Sequence, residues 1–270
     1  MKPSDGRWTS AQLLPFILSV IAGSVDMIGF LALDGLFTAH VTGNLVTLAA
    51  RLLEGGPEPV AHMLAVPMFV VALILTRLLA SGLEQVRIAT LRPLLMLQFV
   101  LLCLFLVISV EEGPRADPSA TTMVVAGMVA VSAMAVQNAL VRLSLTGVPS
   151  TAVMTANITV FTMDVGEVLL GRDPMNVAKS RDRAKHTAPV IIGFLLGCMM
   201  GAPCAVAVGL CAMVLPAGLV LASVALSMAP DLHEAMRPPS VHVEDRPHPR
   251  SIPRCQTRDA SRQESHPSIQ

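Results

Sequence analysis

Apolar residues run along this chain in long blocks, and the polar residues that interrupt them mark where one block ends and the next begins. Residues 12–33, 36–53, 60–83, 94–110, 121–145, 150–170, 189–209 and 210–228 each read as an apolar segment. A helix needs about 20 such residues to cross a hydrocarbon core. Asp34-Gly35, the Gly- and Pro-bearing stretch 54–59 and Thr146-Gly147-Val148-Pro149 are turn signals. Residues 84–93 form a basic turn, 111–117 an acidic loop, and 171–188 the largest internal loop, which carries Arg172, Lys179, Arg181, Arg183 and Lys185. The pattern predicts an all-α, polytopic helical membrane protein.

Two of the blocks share a polar phrase. Thr38-Ala39-His40-Val41-Thr42-Gly43-Asn44 recurs as Thr151-Ala152-Val153-Met154-Thr155-Ala156-Asn157. One inserted residue then aligns Gly35 with Gly147, and the acid Asp26 with Asn138, which follows Gln137. An internal duplication accounts for this, with repeat 1 over about 11–110 and repeat 2 over about 121–228. Its two polar elements are expected to meet at a functional centre.

Charge bears on how many blocks cross. If all eight span with the N-terminus inside, Arg87 and Arg92 fall outside and the acidic 111–117 loop inside, against the positive-inside tendency. If 36–53 and 150–170 enter and return, Arg87, Arg92, Arg142 and the basic 171–188 loop all lie inside. Only Arg51 is then misplaced, near Glu54 and Glu58. Six full spans plus two short or broken polar helices is the expected arrangement, with eight spans as the alternative. Three spans per half would make the two halves an inverted repeat.

Composition agrees: 53% of residues are hydrophobic and 14% charged, too little charge to solvate the surface of a soluble domain of this size. A formal net charge of zero points to no nucleic-acid partner. The five cysteines show neither disulfide-framework nor metal-ligand spacing. Lys2 and Arg7 precede the first block as in a signal peptide, but that block carries Asp26 and lacks a cleavage site, so an uncleaved first span is expected. Residues 1–10 read as a cytoplasmic N-terminus and 11–228 as the transmembrane domain. Residues 230–270, rich in Pro, Arg, His, Ser and Gln, read as a disordered cytoplasmic tail.

Candidate chemistry is sparse. Asp26 lies deep in an apolar run, where a charged carboxylate costs at least about 2.5 kcal/mol on insertion scales, so it should be protonated, paired or facing water. It reads as a coupling acid or as a structural acceptor for the broken helix that follows. His40 reads as its relay partner or as a single satisfied polar residue. In a helical reading Thr38 and Thr42 share one face, and so do Thr155 and Thr159. Thr42, Asn44, Thr155 and Asn157 are expected to line a path, with Asn138 the neutral counterpart of Asp26; interhelical hydrogen bonding alone is the competing account. Residues 94–110 read as an unbroken apolar span. Gly193, Gly197 and Gly201 form a small-residue stripe for close helix approach, within the chain or across a homo-oligomer. No nucleophile, cofactor or metal fingerprint appears, so no enzyme and no cofactor is expected.

Val25-Asp26-Met27-Ile28-Gly29-Phe30-Leu31, with Gly35-Leu36-Phe37 and His40-Val41-Thr42-Gly43-Asn44, resembles the first signature of the YoaK-like bacterial membrane proteins. Val136-Gln137-Asn138-Ala139 with Arg142 resembles the second. Ala156-Asn157 departs from the glycine-threonine usual there, and the resemblance covers roughly residues 11–228. It implies an inner-membrane protein of six spans and supplies no substrate. The reading is a small-solute transporter or channel in the bacterial cytoplasmic membrane, both termini cytoplasmic, in contact with the lipid bilayer and a small polar solute or ion. The rival is a non-transporting scaffold acting through its tail.

Overall fold

The computed structural model describes residues 10–54, 59–112, 120–145, 147–151 and 153–229. The polar lead before Ser10 and the tail 230–270, expected to be disordered, lie outside the described residues. Regular structure among the described residues is entirely helical. The elements are α1 (Ser10–Ala32), α2 (Gly43–Glu54), α3 (Val60–Gln85), α4 (Leu91–Glu112), α5 (Thr121–Ser144), α6 (Met154–Leu170) and α7 (Pro174–Val208), then a 3-10 turn (Gly209–Met213) and α8 (Val214–Leu226).

α1, α3, α4, α5 and the stretch Pro174–Leu226 are long and apolar enough to cross a membrane. The last is 53 residues long, about 80 Å as one helix, far beyond the roughly 30 Å of a hydrocarbon core. It breaks at Gly209, whose φ is +60°, into α7 and α8. The chain is a multi-pass helical membrane protein.

Contacts between helices fix their directions. A Cβ placed on Gly193 would lie 2.6 Å from the Phe16 carbonyl oxygen, one on Gly197 2.2 Å from that of Val20, and one on Gly201 3.0 Å from Ser24 Cα. α1 and α7 therefore run parallel at backbone contact, and the partner of the glycine stripe is a helix of the same chain. α5 runs the other way: Gln137 donates to the Leu18 carbonyl, while Gly127 lies against Leu33 and Leu36. α4 and α8 are also antiparallel, since Arg92 near the start of α4 donates to the Ser227 carbonyl just past the end of α8. Eight crossings would make α1 and α5 parallel. Six make them antiparallel, as found.

The two remaining helices turn back. Asp34 (φ +55°) and Gly35 (φ +83°) end α1 in the left-handed region, where glycine carries no Cβ penalty. The chain then descends beside α1 to the level of Asp26 and climbs again as α2, until Arg51 reaches Asp34 through bonds of 2.5 and 2.7 Å. His62, in the first turn of α3, sits against the Gly35 backbone at that same end. α6 returns at the opposite end. It starts just after Thr151, which is bonded to Gln137, and its end leads directly into α7. The first turns of α7 project past the start of α1 on the glycine register.

The expected loop 171–188 is largely helix. The Asp173 side chain accepts from the Met175 amide at 3.0 Å and Pro174 fills the first helical position, a strong start signal. α7 continues through Pro189 rather than beginning there. The interior is built on α1 and α5, with 72% and 78% of their apolar windows buried, against 22% for α3. Val70, Ile74 and Leu78 of α3 form an exposed apolar stripe at helical spacing, the face a lipid bilayer covers.

Candidate functional site

Asp26 is 4% exposed and its carboxylate organises the loop after α1. Oδ1 accepts the Thr38 and Ala39 amides at 2.7 and 2.8 Å, the Thr38 hydroxyl at 3.3 Å and the His40 amide at 3.4 Å. Oδ2 pairs with His40 Nδ1 at 2.7 Å. Asp26 is thus a structural acceptor for the loop, and it also holds an imidazole. Because the amides of residues 38–40 point at Asp26, they cannot serve a helix, and Thr38 and Thr42 do not share a helical face as expected; α2 starts only at Gly43.

Asn44 closes this loop. Its side chain accepts from the Phe37 amide at 2.8 Å and donates to the Phe37 carbonyl at 2.7 Å. It is fully buried, and its place is behind the path expected to run along it. Gly29 leaves room for the loop, since a Cβ there would come 3.1 Å from Thr38 Cγ2 and 3.2 Å from the Leu36 oxygen.

The second polar phrase has parallel geometry. Gly147, like Gly35, has a φ of +83°. Asn157 donates to the Ser150 carbonyl at 2.7 Å, seven residues back, as Asn44 reaches Phe37. Thr155 is exposed on α6, where its carbonyl accepts from the Thr159 hydroxyl at 2.9 Å. The residue reaching the loop is Gln137, whose Nε2 donates to the Thr151 hydroxyl at 3.1 Å and the Leu18 carbonyl at 2.8 Å. Asn138, expected in that role, donates to Met134 on its own helix at 2.9 Å. One position is a turn of about 100° on a helix, enough to change the face.

Two cavities flank His40 and Thr42. The larger, about 1040 Å³, lies between α3, α5 and both polar loops and is lined by Asn138, Ser150, Arg77 and Arg142 among others. The smaller, about 540 Å³, is lined by Asp26, Phe30, Phe37, Phe194 and Cys198. Phe30 and Phe37 pack at a tilt of 41° with centroids 4.9 Å apart, and Phe194 meets the His40 ring edge-on at 4.9 Å. His40 and Thr42 line both cavities and form the wall between them. The polar phrases converge on the larger cavity, although their anchors, Asp26 and the Leu18 carbonyl, are eight residues or about 12 Å apart along α1. Among the described residues no cluster of ligating side chains suits a metal ion.

Over residues 14–226 the chain matches the family described as protein of unknown function (DUF1275). The chain belongs to the DUF1275 family. No curated protein and no solved structure matches it.

Several residues of this DUF1275 protein escaped the sequence reading. Gln98 interrupts the span taken as unbroken; it is fully buried and donates to Gln137 Oε1 at 2.7 Å. A lone amide in an apolar run was the available signal. Arg142 was read as a topology marker, and nothing in its spacing from Arg77 placed the two on one cavity. Asp164, which the sequence placed near the end of the second polar segment, pairs with Arg183 of α7, away from both cavities.

Proposed function

We propose that this DUF1275 protein carries a small solute across the bacterial cytoplasmic membrane, along a path from the larger cavity past His40 and Thr42 into the smaller one. The observation that carries the reading is the shared His40–Thr42 wall, backed by a buried carboxylate. In this reading Asp26, buried and paired with His40 at 2.7 Å, is the coupling or gating acid and His40 its relay. Asn44 and Asn157 hold the two loops in shape. Thr42 and Asn138 offer polar groups along the route, and Thr155 lines neither cavity.

Half-helices returning at opposite ends and matched glycine and asparagine geometry support an inverted repeat of two three-span units. Arg92, Arg142 and the basic start of α7 gather at the end where α1 begins, which supports a cytoplasmic N-terminus. Transport requires no bond-making chemistry, so the proposal assigns no enzymatic activity.

The test is uptake of radiolabelled benzenesulfonate, benzenesulfonamide and phenyltrimethylammonium into proteoliposomes under an imposed pH gradient. Protein-dependent uptake of at least one probe, lost in Asp26→Asn and slowed in the exposed-site variant Thr42→Val, is expected. If no probe enters faster than into protein-free vesicles, the transport reading fails.

A further inference from the structure

The charge on the larger cavity is one-sided. Arg77 and Arg142 line it, and no aspartate or glutamate does. Arg142 is exposed and forms no ion pair with any described residue. Arg77 meets Glu84 at 3.3 Å through one nitrogen, with both side chains more than half exposed, and a guanidinium has five N–H donors to place. Most of the remaining wall is apolar, with Val66, Phe69, Leu73 and Val141 among its residues. Exposed guanidinium groups at the edge of an apolar space can meet an anion through charge-assisted hydrogen bonds. A cation would be repelled by both arginines, and a neutral solute would gain nothing from their charge.

We infer that the larger cavity receives an organic anion with an apolar body, its charged group beside Arg142 and Arg77 and its body along the α3–α5 wall. The inference names the substrate class of the path proposed above and rests on that reading for its place in transport. The volume, about 1040 Å³, is at the upper end of the range for drug-sized ligands. Val70 and Val153 line the cavity while remaining about half exposed, so it opens toward the acyl region as well as toward water. The anion has two sources: a soluble molecule, or a lipid of the adjoining leaflet with an anionic headgroup.

The experiment is equilibrium binding to the full chain in phosphatidylcholine nanodiscs, using benzenesulfonate, benzenesulfonamide and phenyltrimethylammonium, which share one ring and differ in charge. Benzenesulfonate should bind at least about tenfold tighter than the other two, and Arg142→Gln should weaken it by about tenfold, the scale of one charge-assisted hydrogen bond. The Arg77→Gln/Arg142→Gln pair should remove the charge preference while leaving the melting temperature unchanged, since neither side chain is buried. Equal binding of all three probes, a preference for the cation, or unchanged benzenesulfonate binding in the double variant overturns the inference. Competition by phosphatidylglycerol would make the natural anion a lipid, and its absence a soluble one; both support the class. Anion-selective binding without flux in proteoliposomes sinks the transport reading alone, and flux indifferent to charge sinks this inference alone.

Discussion

The loop held by Asp26 and the loop held by Gln137 have parallel geometry and opposite chemistry. Each follows a glycine at φ +83°, and each is closed by an asparagine bonded seven residues back. In the first, a carboxylate gathers three backbone amides, a hydroxyl and an imidazole. In the second, a neutral amide ties together a hydroxyl, the Leu18 carbonyl and Gln98. Similar loop shapes do not require similar charge: the ionisable anchor holds the first loop and a neutral amide the second.

Breaking the charged anchor should do the most damage. Asp26→Ala leaves the buried Thr38 and Ala39 amides without their acceptor, and a loss of about 3–5 kcal/mol is expected on the scale of disrupted buried ionic networks. Asp26→Asn keeps one oxygen for those amides and should cost less than half as much, while still stopping transport. Unfolding in a denaturing detergent series measures both, and equal losses would show that the charge itself supports the loop. Gly197→Ala comes next, with about 1–3 kcal/mol expected, because its Cβ would strike the Val20 carbonyl and push α7 off α1.

The two asparagines sharpen the comparison directly. Asn44→Ala removes both bonds to the Phe37 backbone and should cost about 2 kcal/mol; Asn157→Ala, at a position 7% exposed, removes the bond to the Ser150 carbonyl and should cost at least about 1 kcal/mol and no more than Asn44→Ala. The reverse order in the same unfolding assay would mean that the second loop is the more tightly built. Arg51→Gln should give the smallest effect, at most about 1 kcal/mol, since its partner Asp34 is half exposed at the rim.

Much of this was legible in the residues. Asp34-Gly35 announced the end of α1, and the paired threonine-asparagine phrases announced two related loops. The loop charges favoured an arrangement in which α1 and α5 run in opposite directions, and they do. The mistakes have identifiable sources. A helical period was read into residues 38–44, where a distant carboxylate takes the amides a helix would use. Asp173-Pro174 was read as part of a loop although it is a helix start. A one-residue alignment shift put Asn138 where Gln137 belongs.

By itself the sequence determined the membrane class, the extents of most apolar helices and the turn at Asp34-Gly35, and it marked Asp26 as a carboxylate in need of partners, because those depend on local hydropathy, turn chemistry and the cost of charge in an apolar run. Only the tertiary structure decided which helix the glycine stripe meets, which amide reaches Thr151, and that Arg77 and Arg142 share one cavity. Such facts depend on helix rotation and pairing between segments far apart in the chain, where a single residue of register turns a side chain through about 100°.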